Sequence, residues 1–489
     1  MFARPTAPLS LAPLLTLLAS VCALSACTVG PDYAGAPQVA PDAAHAANFV
    51  RTPAAGMVST RAPSQWWLSL NDPQLNTLID AALAHNPDVH AAQARLREAR
   101  AQLQHQKANG MPTASFDAAA LRMREPNLSS LSSSQSGSSS SGGGPLQLYT
   151  AGFDASWEID LFGGTRRAVE AATAEADAVD ADLADTQVSL AAEVAQAYVG
   201  LRDEQQRLTL AKRSAELEQQ MLTLTKQRRA HGTAADVDVE RLTTQVENTR
   251  STLSPLDAQV AESLDQLAVL TGQAPGALDQ ELSALGPLPA LPASVAIGDP
   301  ASMLQQRPDI RAAERRLASG NAQIGEHKAD FFPKVTLFGD IGYTAANPGH
   351  LVRKNNFSWI GAPYLQWNVL DFGRTLSSVR GAEASRDEAD AKYAHTVLAA
   401  LQDANTSLSR YGYQREHLAT LQQVQASADR SATLMRQRYV AGTSSLIDLI
   451  DTQRTQFIAQ QNVVAAQAEL LKDFVSLQKS LGLGWRVEG

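Results

Sequence analysis

Proline is missing between Pro145 and Pro255 and again after Pro363. A proline inside a helix costs roughly 3 kcal/mol, so each gap is a stretch where a long uninterrupted helix can form. In the first gap Leu190, Val194, Ala197, Leu201, Leu208 and Ala211 follow steps of four and three, with Glu204 interrupting the apolar series. In the second, Val397, Leu401, Ala404, Leu408, Tyr411 and Leu418 keep the same rhythm, with Arg415 as the exception. These are heptad seams, which oblige helices to wind around one another.

The pattern is written twice. Trp157, Phe162-Gly163, Gln227-Arg228, Gly232-Thr233, Asp238 and Gly272 match Trp367, Phe372-Gly373, Gln437-Arg438, Gly442-Thr443, Asp448 and Gly482, each 210 residues further on. Upstream, Pro87-Asp88 matches Pro308-Asp309 and Pro112 matches Pro333, each 221 apart. Two constant spacings imply an internal duplication. The first copy carries 11 more residues between Pro112 and Trp157, the difference between 221 and 210. Within that interval Ser129 to Gly144 is almost wholly serine and glycine, too polar to bury a core, and is expected to be an elongated mobile loop.

Between the helical runs the period drops to two. Tyr149, Ala151, Phe153, Ala155, Trp157 and Ile159 form one face of a strand, against Thr150, Gly152, Asp154, Ser156, Glu158 and Asp160. Phe357 to Val369 alternates likewise, with Ile360 and Tyr364 as apolar exceptions on its polar face. Partner strands are expected near Pro112 to Met123, where alternation is weak, and Pro333 to Ala345. Each copy thus supplies one hairpin, with its tip at the serine-glycine tract or at Asn347 to Asn356, and no other clear strand pair is legible. Pro363 removes a ladder donor, which predicts a bulge or bend there. The strand lengths suit the tilted strands of a membrane barrel, but four strands are too few to close one, so closure requires several chains.

Residues 1–26 read as an export signal: Arg4 supplies the positive start and Leu9 to Ala23 an apolar core shorter than a spanning helix needs. Leu24-Ser25-Ala26-Cys27 resembles the bacterial lipobox, whose cysteine is acylated and becomes the first residue of the mature chain. Thr28 in place of aspartate implies sorting to the outer membrane. Cys22 leaves with the signal, so the mature protein has no partner for an intrachain disulfide. With 44% hydrophobic but only 6% aromatic residues, composition favours alanine-rich helices over a compact enzyme core. The net charge of −9 argues against nucleic-acid binding. The nine histidines form no pattern of metal-ligand spacing, and no phosphate-binding glycine fingerprint appears. The chain therefore reads as no enzyme, with no cofactor or metal beyond the covalent lipid on Cys27. Acidic residues crowd Glu170 to Asp185, including Glu175, Asp177, Asp180 and Asp182, a run that reads first as a solvated helix face and second as a lumen-lining stripe that would favour cations.

Several local motifs resemble the TolC/OprM-type outer-membrane factors, in their NodT-like lipoprotein branch. They are Cys27-Thr28-Val29-Gly30-Pro31-Asp32-Tyr33, Trp66-Trp67, Asp72-Pro73-Gln74-Leu75, Arg307 to Glu314, Ala329 to Pro333, and Trp367 with Asp371-Phe372-Gly373-Arg374. The resemblance spans nearly the whole mature chain. It implies a mixed α and β fold: an internally duplicated chain, long antiparallel coiled-coil helices in a periplasmic α-barrel, and β-hairpins forming a 12-stranded trimeric outer-membrane barrel. It implies a homotrimer that passively conducts small molecules from an inner-membrane pump and a periplasmic adaptor to the exterior, embedded in outer-membrane lipid.

The corresponding organisation is a signal over 1–26, a lipidated and equatorial segment over 27–84, and a first repeat over 85–273 with its hairpin at 112–160 and tip near 232. A linker over 274–300, a second repeat over 301–482 with its hairpin at 333–371 and tip near 442, and a tail over 483–489 complete it. Glycine suits a helix stop, so Gly232-Thr233 and Gly442-Thr443 read as turns. The resemblance makes those turns the tips that meet the adaptor. Ile447 and Asp451 are four apart on one helical face and Arg454 is three further on. The resemblance puts Ile447 and Asp451 on the pore axis as an apolar constriction and a carboxylate ring. It assigns Arg438, Tyr439 and Arg454 to the bonds that hold a closed periplasmic gate. The first copy has Val237 and Arg241 at the equivalent positions, so only the second helix pair is expected to close the pore.

Overall fold

The computed structural model describes residues 28–53, 56–60, 62–123 and 146–485; the signal, Cys27 and the serine-glycine tract lie outside them. The chain is mostly helical with one four-stranded sheet. In chain order its first helices are α1 (Pro41–Ala44), α2 (Pro73–His85), α3 (Pro87–Asn109), α4 (Gly164–Ala230), α5 (Asp236–Ser251) and α6 (Leu253–Leu270). They are followed by α7 (Asp279–Leu282), α8 (Pro300–Gln306), α9 (Pro308–Ala329), α10 (Arg374–Val440) and α11 (Leu446–Ser480). The strands are β1 (Met57–Val58), β2 (Thr113–Met123), β3 (Leu146–Ile159), β4 (Val295–Ala296), β5 (Lys334–Ala345) and β6 (Phe357–Gln366). Helices α4 and α10 each have 67 residues. Among the described residues no helix is long and apolar enough to cross a membrane.

Two compact units divide the described residues: those of 1–35, 98–176 and 315–390, and those of 36–97, 177–314 and 391–489. The first unit holds the sheet, antiparallel throughout in the order β2-β3-β5-β6. Residues paired across a ladder share a face, so the register sorts the sheet into two surfaces. One carries the rows Ala114-Ala155-Gly339-Gly361, Phe116-Phe153-Ile341-Trp359 and Ala118-Ala151-Tyr343-Phe357. The other carries Ser115-Asp154-Asp340-Ile360, Asp117-Gly152-Gly342-Ser358 and Ala119-Thr150-Thr344. The apolar surface is uncovered: Phe116, Phe153, Ile341 and Trp359 are 61%, 58%, 48% and 74% exposed.

Two expectations for the second hairpin are corrected. The β5–β6 register runs unbroken through Pro363, opposite Leu337, so there is no bulge. β6 is an edge strand within the chain, and the proline removes a single donor from it without breaking the register. The strand also stops at Gln366, short of Val369; just beyond it the Trp367 indole donates to the Phe331 carbonyl at 3.0 Å. Trp157 makes the equivalent bond to Gly110, also at 3.0 Å. At the foot of β3, Phe162 stacks on Phe332 with ring centroids 4.6 Å apart. The nearly buried Arg167 ties the N-terminal segment to α4: its guanidinium donates to the Val29 carbonyl, to Asp32 at 2.6 Å and to Glu170 at 2.8 Å.

The second unit contains the largest core. The seam residues Leu190, Val194, Ala197 and Leu201 of α4, and Val397, Leu401, Ala404 and Leu408 of α10, are all buried there. Packed with them are Trp66, Trp67 and Leu70 before α2, Leu278, Leu282 and Val295 of the linker, Phe474 of α11, Leu481 at the end of that helix, and Leu483 of the tail. Each such side chain contributes about 1.5–3 kcal/mol on burial, so N-terminal segment, linker and tail are integral parts of one core. The linker also forms a two-residue parallel pair, β1 with β4, which the sequence pattern did not reveal.

The polar centre of this core is Arg202 of α4, 1% exposed. It donates to Gln205 at 2.7 Å, to the Ala284 carbonyl at 2.8 Å and to Gln74. Its guanidinium lies 5.0 Å from the centroid of the Tyr198 ring. Burial pushes the Tyr198 hydroxyl up to about 12, so it stays protonated and donates to Asp72 at 2.9 Å. The two returning limbs differ. α11 is continuous over 35 residues, whereas α5 and α6 are separated at Thr252, three residues before Pro255. Proline lacks the N–H that would bond the carbonyl four residues back; the matching position on α11 is Ala465.

Candidate functional site

Helices α4 and α10 end in the same way. Gly232 and Gly442 adopt φ of 73° and 74°, the left-handed conformation that glycine reaches without penalty. The Gly232 amide donates to the Arg229 carbonyl and that of Thr233 to the Arg228 carbonyl, both at 2.8 Å. Gly442 and Thr443 repeat these bonds to Tyr439 and Arg438 at 3.0 and 2.9 Å. The threonine hydroxyls donate to the same carbonyls of Arg228 and Arg438, at 2.9 and 3.1 Å. Each glycine-threonine pair therefore closes a Schellman turn and satisfies carbonyls that a helix end leaves unpaired.

The helices restart just as uniformly. The Asp448 carboxylate accepts from the Ser445 amide at 3.2 Å and Asp448 donates its own amide to the Ser445 hydroxyl, a reciprocal cap. Asp238 accepts from the Ala235 amide at 3.3 Å and supplies half of that arrangement. Beneath the turns, Leu222, Val239, Leu242 and Val246 form a small buried cluster, with Leu446 and Ile450 against it.

Ile447, Asp451 and Arg454 are brought together on one side of α11 and line a groove of about 380 Å³. The facing residues are Val237, Glu240, Arg241 and Thr244 of α5. Ile447 is 48% exposed and Val237 53%, so the apolar rim stands open in the single chain. The Asp451 carbonyl accepts from the Thr455 hydroxyl at 2.9 Å, while its carboxylate has no partner among the described residues. The groove presents two carboxylates, Glu240 and Asp451, and two guanidinium groups, Arg241 and Arg454. Charges of both signs at an open apolar rim can form ion pairs with a neighbouring copy or rings around an axis.

Arg438 and Tyr439 do not join this groove. Arg438 is exposed and serves its own turn through its carbonyl. The Tyr439 hydroxyl accepts from Arg228 at 2.7 Å, with the guanidinium 5.8 Å from the ring centroid. This bond joins α4 to α10 beside a separate cavity of about 630 Å³ lined by Thr233, His231 and Leu446 among others. Sequence matching pairs Val237 and Arg241 with Ile447 and Asp451 but does not set them across one groove, and it gives no role to Arg228. The only available signal was the match of Gln227-Arg228 to Gln437-Arg438.

Comparison with known proteins places this geometry. The family model for outer membrane efflux proteins matches residues 78–273 and 300–483. The antibiotic efflux pump outer membrane protein ArpC of Pseudomonas putida is 30% identical over 483 residues, 96% of each chain. Nodulation protein T of Rhizobium leguminosarum bv. trifolii is 30% identical over 467 residues, 94% of this chain and 95% of the other. Among solved structures, the outer-membrane channel OprN superposes with a TM-score of 0.85 at 34% identity, covering 94% of this chain and 100% of that one. The open state of the Neisseria gonorrhoeae MtrE channel gives 0.81 at 26% identity, covering 94% and 98%. With two long helix pairs, one two-faced sheet and a match along both halves, the chain belongs to the outer membrane efflux protein family.

Proposed function

We propose that the protein is one protomer of a trimeric outer-membrane channel that passes small molecules outward from an inner-membrane pump and a periplasmic adaptor. The observation that carries this reading is the sheet: an uncovered apolar surface on one side, serines, threonines and aspartates on the other, and both edges open. Four strands with one apolar face cannot close a barrel alone, and three copies supply 12 strands, within the range of outer-membrane barrels. Membership of a family of efflux channels supports the outer-membrane location, and the relatives' names support an efflux role without fixing the substrate. The repeats over 85–273 and 301–482, joined by the 274–300 linker, are read as two copies of one helix–hairpin–helix-pair unit. The lipid on Cys27 is read as an added tether.

The gate is assigned to Ile447, Asp451 and Arg454. Around a three-fold axis their exposed faces would form an apolar ring and a charged ring, closing the periplasmic end until the helices part. Arg438 and Tyr439 are assigned to the bonds that hold the helix ends together, and the turns at Gly232-Thr233 and Gly442-Thr443 to adaptor contact. In planar bilayers, Asp451→Asn combined with Ile447→Ala is expected to raise single-channel conductance several-fold over the resting wild type. Unchanged conductance in a correctly assembled trimer would remove these residues from the gate.

A further inference from the structure

The internal repeat specifies how one copy meets the next. Within the chain, β3 of the first repeat pairs antiparallel with β5 of the second, with Tyr149 opposite Ala345 and Ile159 opposite Val335. At the foot of this ladder Phe162 stacks on Phe332. Moving each residue to its repeat counterpart, 210 positions on for the first partner and 221 back for the second, turns β3 into β6 and β5 into β2. Both offsets are visible in the structure: the Trp157–Gly110 and Trp367–Phe331 bonds are related by them.

β6 and β2 are the two open edges of the sheet. The counterpart of Phe162 is Phe372, 93% exposed at φ 53°, and that of Phe332 is Met111, 64% exposed. Phe372 thus has no cover in the single chain, where its counterpart has a ring.

We infer that the β6 edge of one copy pairs antiparallel with the β2 edge of the next in a single register, Gln366 opposite Asp117 and Leu365 opposite Ala118, with Phe372 packed on Met111. This rests on the oligomeric reading above and adds its register. The register keeps both surfaces continuous: Leu365 and Ala118 lie on the apolar face, Gln366 and Asp117 on the polar one. A slip by one residue would put every side chain of the added strand on the wrong face. Trp367, 54% exposed, then lies opposite Phe116, so the aromatic row continues across the seam. A thioether against the edge of the Phe372 ring is a favourable contact.

The test uses the full-length protein in membranes, oxidised with copper phenanthroline and resolved on denaturing gels. Directly opposed residues of antiparallel strands sit about 4.5–5.5 Å apart at Cα, within disulfide range, and those shifted by two about 7–8 Å apart. Q366C/D117C is expected to give covalent dimers and trimers, and Q366C/S115C and Q366C/A119C at least several-fold less. Within one chain the two sites lie on opposite edges of the sheet, so a bridge reports contact between copies. Single-cysteine variants reveal any bridge through Cys27. Stronger cross-linking in either shifted pair overturns the register while leaving the trimer intact. A trimer in detergent with none of the pairs bridged places the seam elsewhere. Absence of any oligomer would overturn the functional reading itself.

Discussion

Asp473 on α11 is half-buried, and burial together with the nearby Glu469 pushes its carboxyl up to about 6, against the pull of Arg410. Between the ordinary carboxylate value near 4 and about 6 the folded chain keeps a proton that the unfolded chain has released, so stability falls as pH rises through that window. Above it, the buried charge is a constant penalty. Asp473→Asn is therefore expected to raise the melting temperature at about pH 8, with the gain vanishing towards about pH 4. A gain of equal size at both pH values would trace the effect to packing. The grouping of the groove residues on α11, by contrast, was legible as a spacing. Ile447, Asp451 and Arg454 share a face because a helix repeats every 3.6 residues. Their surroundings were not: Tyr439 meets Arg228 across 211 positions of sequence, and no local pattern encodes that.

Among the elements, the linker is held by apolar packing and also by one buried cation. Arg202 holds Gln74 in the first turn of α2 and the Ala284 carbonyl in the linker at once, and a Cβ on Gly286 would collide with its guanidinium. Arg202→Ala leaves buried acceptors without donors and a cavity beside Tyr198, and is expected to cost about 3 kcal/mol. Limited proteolysis should then cut within 274–300 at a protease concentration that spares the wild type; an unchanged cleavage pattern would show that apolar packing alone seats the linker. Nothing in the sequence marks Arg202, because an arginine on a helix is ordinarily solvated and only the fold brings the linker over it. The heptad seams and the existence of the two hairpins were legible because period and length are local properties. The ends of β2 and β5 fell within a residue of expectation. The β1–β4 pair was too short to show a period, and the missing bulge at Pro363 followed from an edge position that depends on which strands pair. The interruption at Thr252 was foreshadowed by Pro255 but was not read as a break.

For the whole molecule, the described start of the N-terminal segment is fastened by bonds of its own, apart from any lipid on Cys27. Asp32 and the Val29 carbonyl are held by the Arg167 guanidinium, and the Val29 amide donates to the Phe162 carbonyl at 3.1 Å. Cys27→Ser, exported with a conventional signal peptide, is accordingly expected to yield membrane-inserted trimer, in reduced amount, on membrane fractionation and native gels. Complete loss of insertion would make the lipid indispensable to assembly. The two-faced sheet carries a consequence for how such a molecule is made. A wall of phenylalanine, isoleucine and tryptophan has no stable form in the aqueous compartment that an exported chain must cross, whereas the heptad-paired helices can form there at once. Because every hairpin is flanked by helices on both sides, the newly exported chain is expected to order its helices first and to hold two unfinished loops, each apolar and each with two bare edges. On the trimeric reading proposed above, biogenesis becomes a matter of timing: the strands are expected to stay shielded until a bilayer and two sibling chains are within reach.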